Sequence, residues 1–404
     1  MTSPSSQAHR DPERAGLAVV LGVVVVDLIG FGIVMPILPF LAVEYGAGTQ
    51  SGIWVGLMLS GYAAAQFAFA PVWGRLSDRV GRRPVMLATI AGTALSLLAA
   101  GLAHSLATLL AARVLAGVFA ANVSVASAYV ADATDEASRT RWMGLIGAAF
   151  GIGFLLGPAI AGALAPLGHR VPIFAAAGLA VLNWVHAASR LAETARRDTA
   201  AAPRRGALLR NPLVRWLCLS NLVFGLAVTQ LETVFQLFMM QRFEYDARQV
   251  AFLLVGMAAV MATVQGGAMR SLSTRFPERR LVWAGALVMA ACFAALPATH
   301  SLAPLLSVLA LSAIGRAVIQ PSMLSLASMT AEASERGAVM GVFQSAASLS
   351  RVFGPFAAGW LYDHALATPF WLAGALALGL SLLARTLPMR ESVAAAEPAP
   401  STGA

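Results

Sequence analysis

No lysine occurs anywhere in this chain, and charge of either sign is scarce: 12% of its 404 residues are charged. A soluble globular protein carries about 25%, so this sequence cannot clothe a water-facing surface. Cysteine is nearly absent too. Cys218 and Cys292 each stand alone inside an apolar run, which leaves neither metal spacing nor reason to pair. Without lysine there is no Gly-Lys-Ser/Thr phosphate loop. No nucleophile–base pair converges in the pattern that would mark a membrane-embedded lipid enzyme. His104, His169, His300 and His364 fall at outer-loop positions and His186 at an inner helix end. They form no metal-ligating cluster, so neither metal nor cofactor is expected.

What the chain has is apolar length. Hydrophobic residues make up 58% of it, and the stretches "MLATIAGTALSLLAAGLA" and "LVWAGALVMAACFAALPA" carry no charge at all. Runs of about 18–20 such residues cross a bilayer as helices, because a helix satisfies its own backbone groups in hydrocarbon. The pattern predicts an all-α membrane protein with twelve transmembrane helices: roughly 16–44, 51–73, 84–103, 106–132, 142–165, 171–189, 213–238, 247–269, 281–299, 303–328, 338–363 and 369–387. The segments then divide as an N-tail 1–15, a six-helix bundle 16–190, a basic linker 191–212, a second six-helix bundle 213–387 and a C-tail 388–404. The first segment lacks a small-residue cleavage site and reads as a tail rather than a signal peptide.

The formal charge of +9 could suggest a nucleic-acid partner, but the arginines sit between the apolar runs. The two tails, the linker and the loops after spans 2, 4, 8 and 10 hold about 22 of the 28 basic residues. The positive-inside rule therefore places both termini in the cytoplasm.

The two bundles repeat. Met143, Gly144, Gly157, Pro158, Ala161 and Gly162 of span 5 recur in span 11 as Met340, Gly341, Gly354, Pro355, Ala358 and Gly359, at a constant offset of 197. Two six-span halves related in this way are the layout of alternating-access transporters.

The loop after span 2 reads "GRLSDRVGRR". Gly74, Leu76, Asp78, Arg79, Gly81, Arg82 and Arg83 resemble the G-x-L-x-D-R-x-G-R-R/K pattern of the major facilitator superfamily. A basic cytoplasmic loop alone would explain the arginines but not the glycines and aspartate at that spacing. Physically, Gly74 permits close helix approach and Gly81 a tight turn. Asp78, near a helix start, can hold a neighbouring bundle in one state and release it in another. The family's fold is the expected one.

Further resemblances narrow the function. "DLIGFGIVMPILP" from Asp27 is similar to the first span of twelve-span drug exporters, including the tetracycline:proton antiporters. Ionisable groups deep in an apolar run are costly and face a cavity or a partner. Asp27 is thus a candidate proton carrier, or else a structural carboxylate paired to an arginine. In span 4, Arg113, Gly117, Ala120, Ser124 and Ser127 share one helical face. The resemblance gives Arg113 a role in modulating the proton site; the alternative is a helix-bridging arginine. In span 5, Gly144, Gly153, Gly157, Pro158 and Gly162 resemble the G-x(8)-G-x(3)-G-P-x(2)-G-G motif that marks exporters, with Ala161 in place of one glycine. The rival reading is glycine-mediated packing alone.

Span 7 carries Glu232, with Phe235 and Gln236 beside it. These residues, with Gln66, Asn122, Gln344 and Arg351, are candidates for a cargo cavity, although such polar groups also serve as interhelical hydrogen bonds. Arg316 and Arg351 are both potential partners for Glu232 or for an anionic ligand. Spans 3 and 9 carry no aspartate, which departs from the tetracycline exporters and makes neutral or cationic amphiphiles the expected cargo. The expectation is a monomeric, multi-pass exporter in a bacterial cytoplasmic membrane, exchanging a small molecule for protons, with Asp27, Arg113 and Glu232 in the coupling. The rival is an importer or proton symporter of a metabolite.

Overall fold

The computed structural model describes residues 4–193, 209–330 and 336–386. The expected linker lies largely outside these residues, and the C-tail lies wholly outside them. No strand occurs among the described residues. Eleven helical rods are long and apolar enough to cross a membrane. They are α1 Gly16–Glu44, α2 Gly48–Val80, α3 Arg82–Gly101, α4 Leu106–Ala133, α5 Arg141–Leu167, α6 Arg170–Arg190, α7 Pro212–Phe243, α8 Ala247–Arg275, α9 Glu278–Ala298, α10 Leu302–Thr330 and α12 Thr368–Thr386. The helix between the last two, α11 Arg336–His364, has 29 residues. It is long enough to span but more polar, with Gln344, Ser345, Ser348, Ser350 and Arg351 in its first half. The tail expected over residues 1–15 is already helical from Pro4 and runs on into α1.

Local chemistry sets the ends and breaks. Ser105 and Thr108 form a capping box at the start of α4, and Asp246 and Gln249 form another at the start of α8. Asn211 caps α7, with Pro212 at its first position. Gly81 turns the chain between α2 and α3 at φ 111°, a conformation that a side chain would strain. Pro36 and Pro39 flank the turn that interrupts α1 between Val34 and Leu38. Outward faces remain greasy: Leu95, Leu182, Phe252 and Leu382 are exposed, as lipid-facing residues must be.

Packing repeats between the halves. In the first, α1 lies along α5 and α6, α3 along α4 and α6, and α2 along α4. In the second, α7 lies along α11 and α12, α9 along α10 and α12, and α8 along α10. The halves meet through α2 against α11 and α5 against α8. The sequence repeat has a physical meaning here. A Cβ at Gly157 would collide with Gly32 of α1, and one at Gly354 with Thr229 of α7. Thr229 lies 197 residues beyond Gly32, so the same offset relates both partners of the contact.

The two ends of the bundle differ. By the antiparallel order of the helices, the amino terminus and the α2–α3 and α8–α9 turns share one end, the tail end. At the opposite, far end the halves are in close contact. Gly52 and Gly56 of α2 touch the backbone of Gly359 and Pro355 of α11, and Gly162 of α5 touches Ala251 of α8. The Asp363 carboxylate of α11 accepts the N–H groups of Gly52 and Ile53, both at 2.8 Å. One turn further in, the Phe356 N–H donates to Ser60 Oγ at 3.0 Å. Toward the tail end Gly74, Gly144, Gly147, Gly266, Gly267 and Gly341 face open space. A cleft therefore opens between the halves toward the tail end.

Candidate functional site

The apex of that cleft lies just beyond the last contact of α2 with α11. Tyr62 follows the Ser60–Phe356 contact by two residues on α2, and Arg351 precedes it by five on α11. Tyr62 is half-buried and Arg351 exposed. Gln344, Ser348 and Arg351 are spaced to share one face of α11, and Arg351 donates to Ser348 at 3.2 Å.

Behind Tyr62 the first half encloses a pocket lined by Asp27, Phe31, Tyr62, Thr93 and Arg113, among others. Phe31 and Tyr62 place their ring centroids 5.6 Å apart, and Phe31 meets Phe154 of α5 edge-on at 6.4 Å. The Arg113 guanidinium lies 4.6 Å from the Tyr62 ring centroid, a cation–π arrangement. Arg113 is 3% exposed, and its Nε and Nη2 have no hydrogen-bond partner.

Asp27 sits on α1 at the pocket wall. Its carboxylate accepts a hydrogen bond from Asn122 Nδ2 at 2.9 Å, and Asn122 Oδ1 in turn accepts from the Thr89 hydroxyl. The relay ties α1 to α4 and α3. Among the described residues no arginine forms an ion pair with Asp27. Asn122 can stand there because α4 breaks at Ala120 and Ala121 and restarts at Asn122. The single continuous small-residue face expected from Arg113 to Ser127 is thereby interrupted. Gly117 alone makes the close approach, against the Tyr62 backbone. Gln66 donates to the Ala120 carbonyl at 2.9 Å, which satisfies a group freed by that break.

In the second half Glu232 is paired to Arg316 of α10. The choice between Arg316 and Arg351 is thus made in favour of Arg316. Phe235 and Gln236, expected in a cavity, are 2% and 4% exposed. They lie three and four positions beyond Glu232, on its side of α7, but are packed into the interior of the half.

The α2–α3 loop forms a network within the first half. Asp78 pairs with Arg82, Arg82 Nε with Asp132 of α4 at 2.8 Å, and the Glu193 carboxylate accepts the Arg82 N–H at 2.7 Å. Arg83 donates to the Ala188 carbonyl. Asp78, expected to hold the neighbouring bundle, instead has a largely exposed side chain. Gly74 and Gly144, expected at close helix contacts, face open space. All three follow from the cleft being open at this end. Gly153, Gly157 and Gly162 do make close contacts, and Pro158 lies within the same helix.

Two residues were missed by sequence reasoning. Tyr62 is one of five tyrosines in the chain and lies in an apolar run four residues before Gln66, a signal that could have been read. Asp363 looked like an ordinary charge at a helix end.

Comparison with known proteins now settles the family. The sequence model of the Major Facilitator Superfamily matches residues 20–296 and 268–403. The chain belongs to the major facilitator superfamily. This transporter is 32% identical to the class D tetracycline resistance protein of Salmonella ordonez, over 90% of this chain and 94% of that one. It is 27% identical to multidrug resistance protein 1 of Bacillus subtilis, over 91% and 95%. Among solved structures it resembles the human organic anion transporter MFSD10, with a TM-score of 0.69 and 27% identity, covering 92% of the transporter and 99% of that chain. It is a multi-pass helical membrane protein with tetracycline-resistance and multidrug-resistance relatives.

Proposed function

We propose that this transporter exports small amphiphilic molecules in exchange for protons, as a monomer in a bacterial cytoplasmic membrane. Its tail end faces the cytoplasm, and α11 spans the membrane with the other eleven rods. The observation that carries this reading is Asp27. It is a membrane-depth carboxylate on the wall of an enclosed pocket, held by an amide and not by an ion pair. Such a group can gain and lose a proton without stranding a partner cation. Neutral Asn122 can donate to either protonation state of the carboxyl, through a lone pair that both states keep. The relatives, resistance proteins for tetracycline and multiple drugs, support export, as do the glycines of α5. The arginine distribution supports the orientation.

Cargo binds from the cytoplasm in the open cleft, and a proton arriving from outside competes for the state of Asp27. Closing the cleft brings the tail-end halves of α2, α5, α8 and α11 together while the far end parts. The gradient supplies about 1.4 kcal/mol per pH unit for each proton and about 2.3 kcal/mol per charge per 100 mV.

The test uses energised, everted vesicles with an internal pH dye. In the wild type, addition of an amphiphilic drug such as tetracycline or ethidium dissipates the gradient. In Asp27→Asn it does not, a loss of at least tenfold in initial rate. An undiminished response in Asp27→Asn would remove Asp27 from the coupling. A response only to sugars or organic acids entering from the other face would make the protein an importer.

A further inference from the structure

The charged groups of the cleft and its pocket do not balance. Three arginines, Arg113, Arg316 and Arg351, stand with two carboxylates, Asp27 and Glu232. Glu232 is taken by Arg316, and Asp27 is held by Asn122. Among the described residues, Arg113 and Arg351 have no carboxylate in ion-pair contact.

Arg113 lies on the Tyr62 ring, and Arg351 stands on α11 near the same depth, counted from the Ser60–Phe356 contact. Arg113 stacks on its ring, buried, with two nitrogens unpartnered. Arg351 comes from the opposite half, and its hydrogen-bond partner is the weak neutral acceptor Ser348. Tyr62 lines the pocket with Asp27 and Arg113, and its hydroxyl makes no hydrogen bond among the described residues. A guanidinium at membrane depth without a counter-charge is expensive. Its open donors call for water or for a ligand that brings the missing charge. The geometry favours a ligand, because the exposed arginine and the tyrosine line the apex of the cleft from opposite sides.

We propose that Arg351, with Tyr62 facing it and Arg113 behind, forms an anion-binding contact at the apex, and that the cargo of this transporter carries an anionic group such as a carboxylate. The inference rests on the transport reading and changes its cargo: the sequence alone favoured neutral or cationic amphiphiles. Arg351 belongs to α11 and Tyr62 to α2, so an anion held between them bridges the halves beside their far-end joint. The cargo is then sensed by both halves at once. Arg351 is a specificity-determining residue on this account, and Arg113 keeps the field around Tyr62 positive.

The test is binding to the purified full-length protein in lipid nanodiscs, by calorimetry. The probes are 2-naphthoate, 2-naphthamide and 2-naphthylmethylammonium, which share one ring system and differ in charge. The wild type is expected to bind the naphthoate at least tenfold more tightly than the naphthamide, with the ammonium weakest. In Arg351→Gln the ratio of naphthoate to naphthamide affinity falls to about one. In Arg351→Lys it is partly retained, and in Tyr62→Phe it falls about threefold. A melting curve for each variant separates loss of fold from loss of charge. Equal binding of the three probes, no measurable naphthoate binding, or a preference that survives Arg351→Gln each overturns the inference and leaves the open donors to water. Drug-evoked proton movement in vesicles is read separately. If it persists while the anion preference is absent, only this inference falls.

Discussion

Asp27 and Glu232 are the deep carboxylates of the two halves, and the protein holds them differently. Asp27 accepts from an amide that is itself tied to Thr89. Glu232 is locked to Arg316. The helices around them pair in the same pattern, and the offset that relates Gly32 and Gly157 to Thr229 and Gly354 holds to the residue. The charged positions do not obey that offset: Asp27 corresponds to Phe224, and Glu232 to Met35. The contacts that hold each half together have been kept on both sides, while the charged groups have been placed independently in each. One half carries a carboxyl whose protonation strands nothing; the other carries a fixed ion pair.

Three measurements would break or sharpen that comparison. The largest effect is expected from the repeated glycine. In Gly157→Ala the new methyl would lie 2.5 Å from the Gly32 Cα, and backbone cannot turn aside. Overpacking of this kind costs about 2–3 kcal/mol, seen as a lowered melting temperature in detergent. Gly354→Ala meets the Thr229 side chain instead, should cost about half as much, and should be rescued by Thr229→Ala. Equal losses without rescue would show that the two contacts are not equivalent in kind.

Next is the ion pair. Glu232→Gln strands Arg316, whose side chain is 14% exposed, and should cost about 1–2 kcal/mol given the partial solvation of the glutamate. Asp27→Asn should leave the melting temperature within about 1 °C, since its partner is an amide. The double change Glu232→Gln with Arg316→Gln should recover most of the loss. A destabilised Asp27→Asn beside an unaffected Glu232→Gln would invert the assignment of free and fixed carboxylates.

The smallest effect is at the joint. Asp363→Asn weakens a helix cap worth about 1 kcal/mol, which should raise the open population of the far end about fivefold. A cysteine placed at Ser60 would then react faster with an impermeant maleimide added from that side. Unchanged labelling would mean that the joint is held by the glycine contacts alone.

Much of the fold was legible because hydrocarbon demands long apolar helices, and such runs are visible in composition. Helix α11 was expected at 338–363 from the same pattern, and its Gly-Pro repeat of span 5 matches its place in the second half. Asp27 and Arg113 stood out as charges in apolar runs. What could not be read was contact across the cleft. Sequence gave no ground for choosing Arg316 over Arg351 as the partner of Glu232, because several residues of α10 and α11 have similar depth. Phe235 and Gln236 share a side of α7 with Glu232, but sequence does not show that neighbouring helices cover them there. Asp363 was invisible because its partners are backbone N–H groups more than 300 residues away.

The two bonds from Asp363 also bear on what an idle carrier does. While they hold, the first amide donors of α2 are satisfied by a side chain from the other half. Parting the far end leaves three polar groups to find water together, so partial opening gains little until the separation is wide enough to admit it. The seal is therefore close to all-or-none. In this state the far end is shut, and a single carboxylate ties the two halves together there.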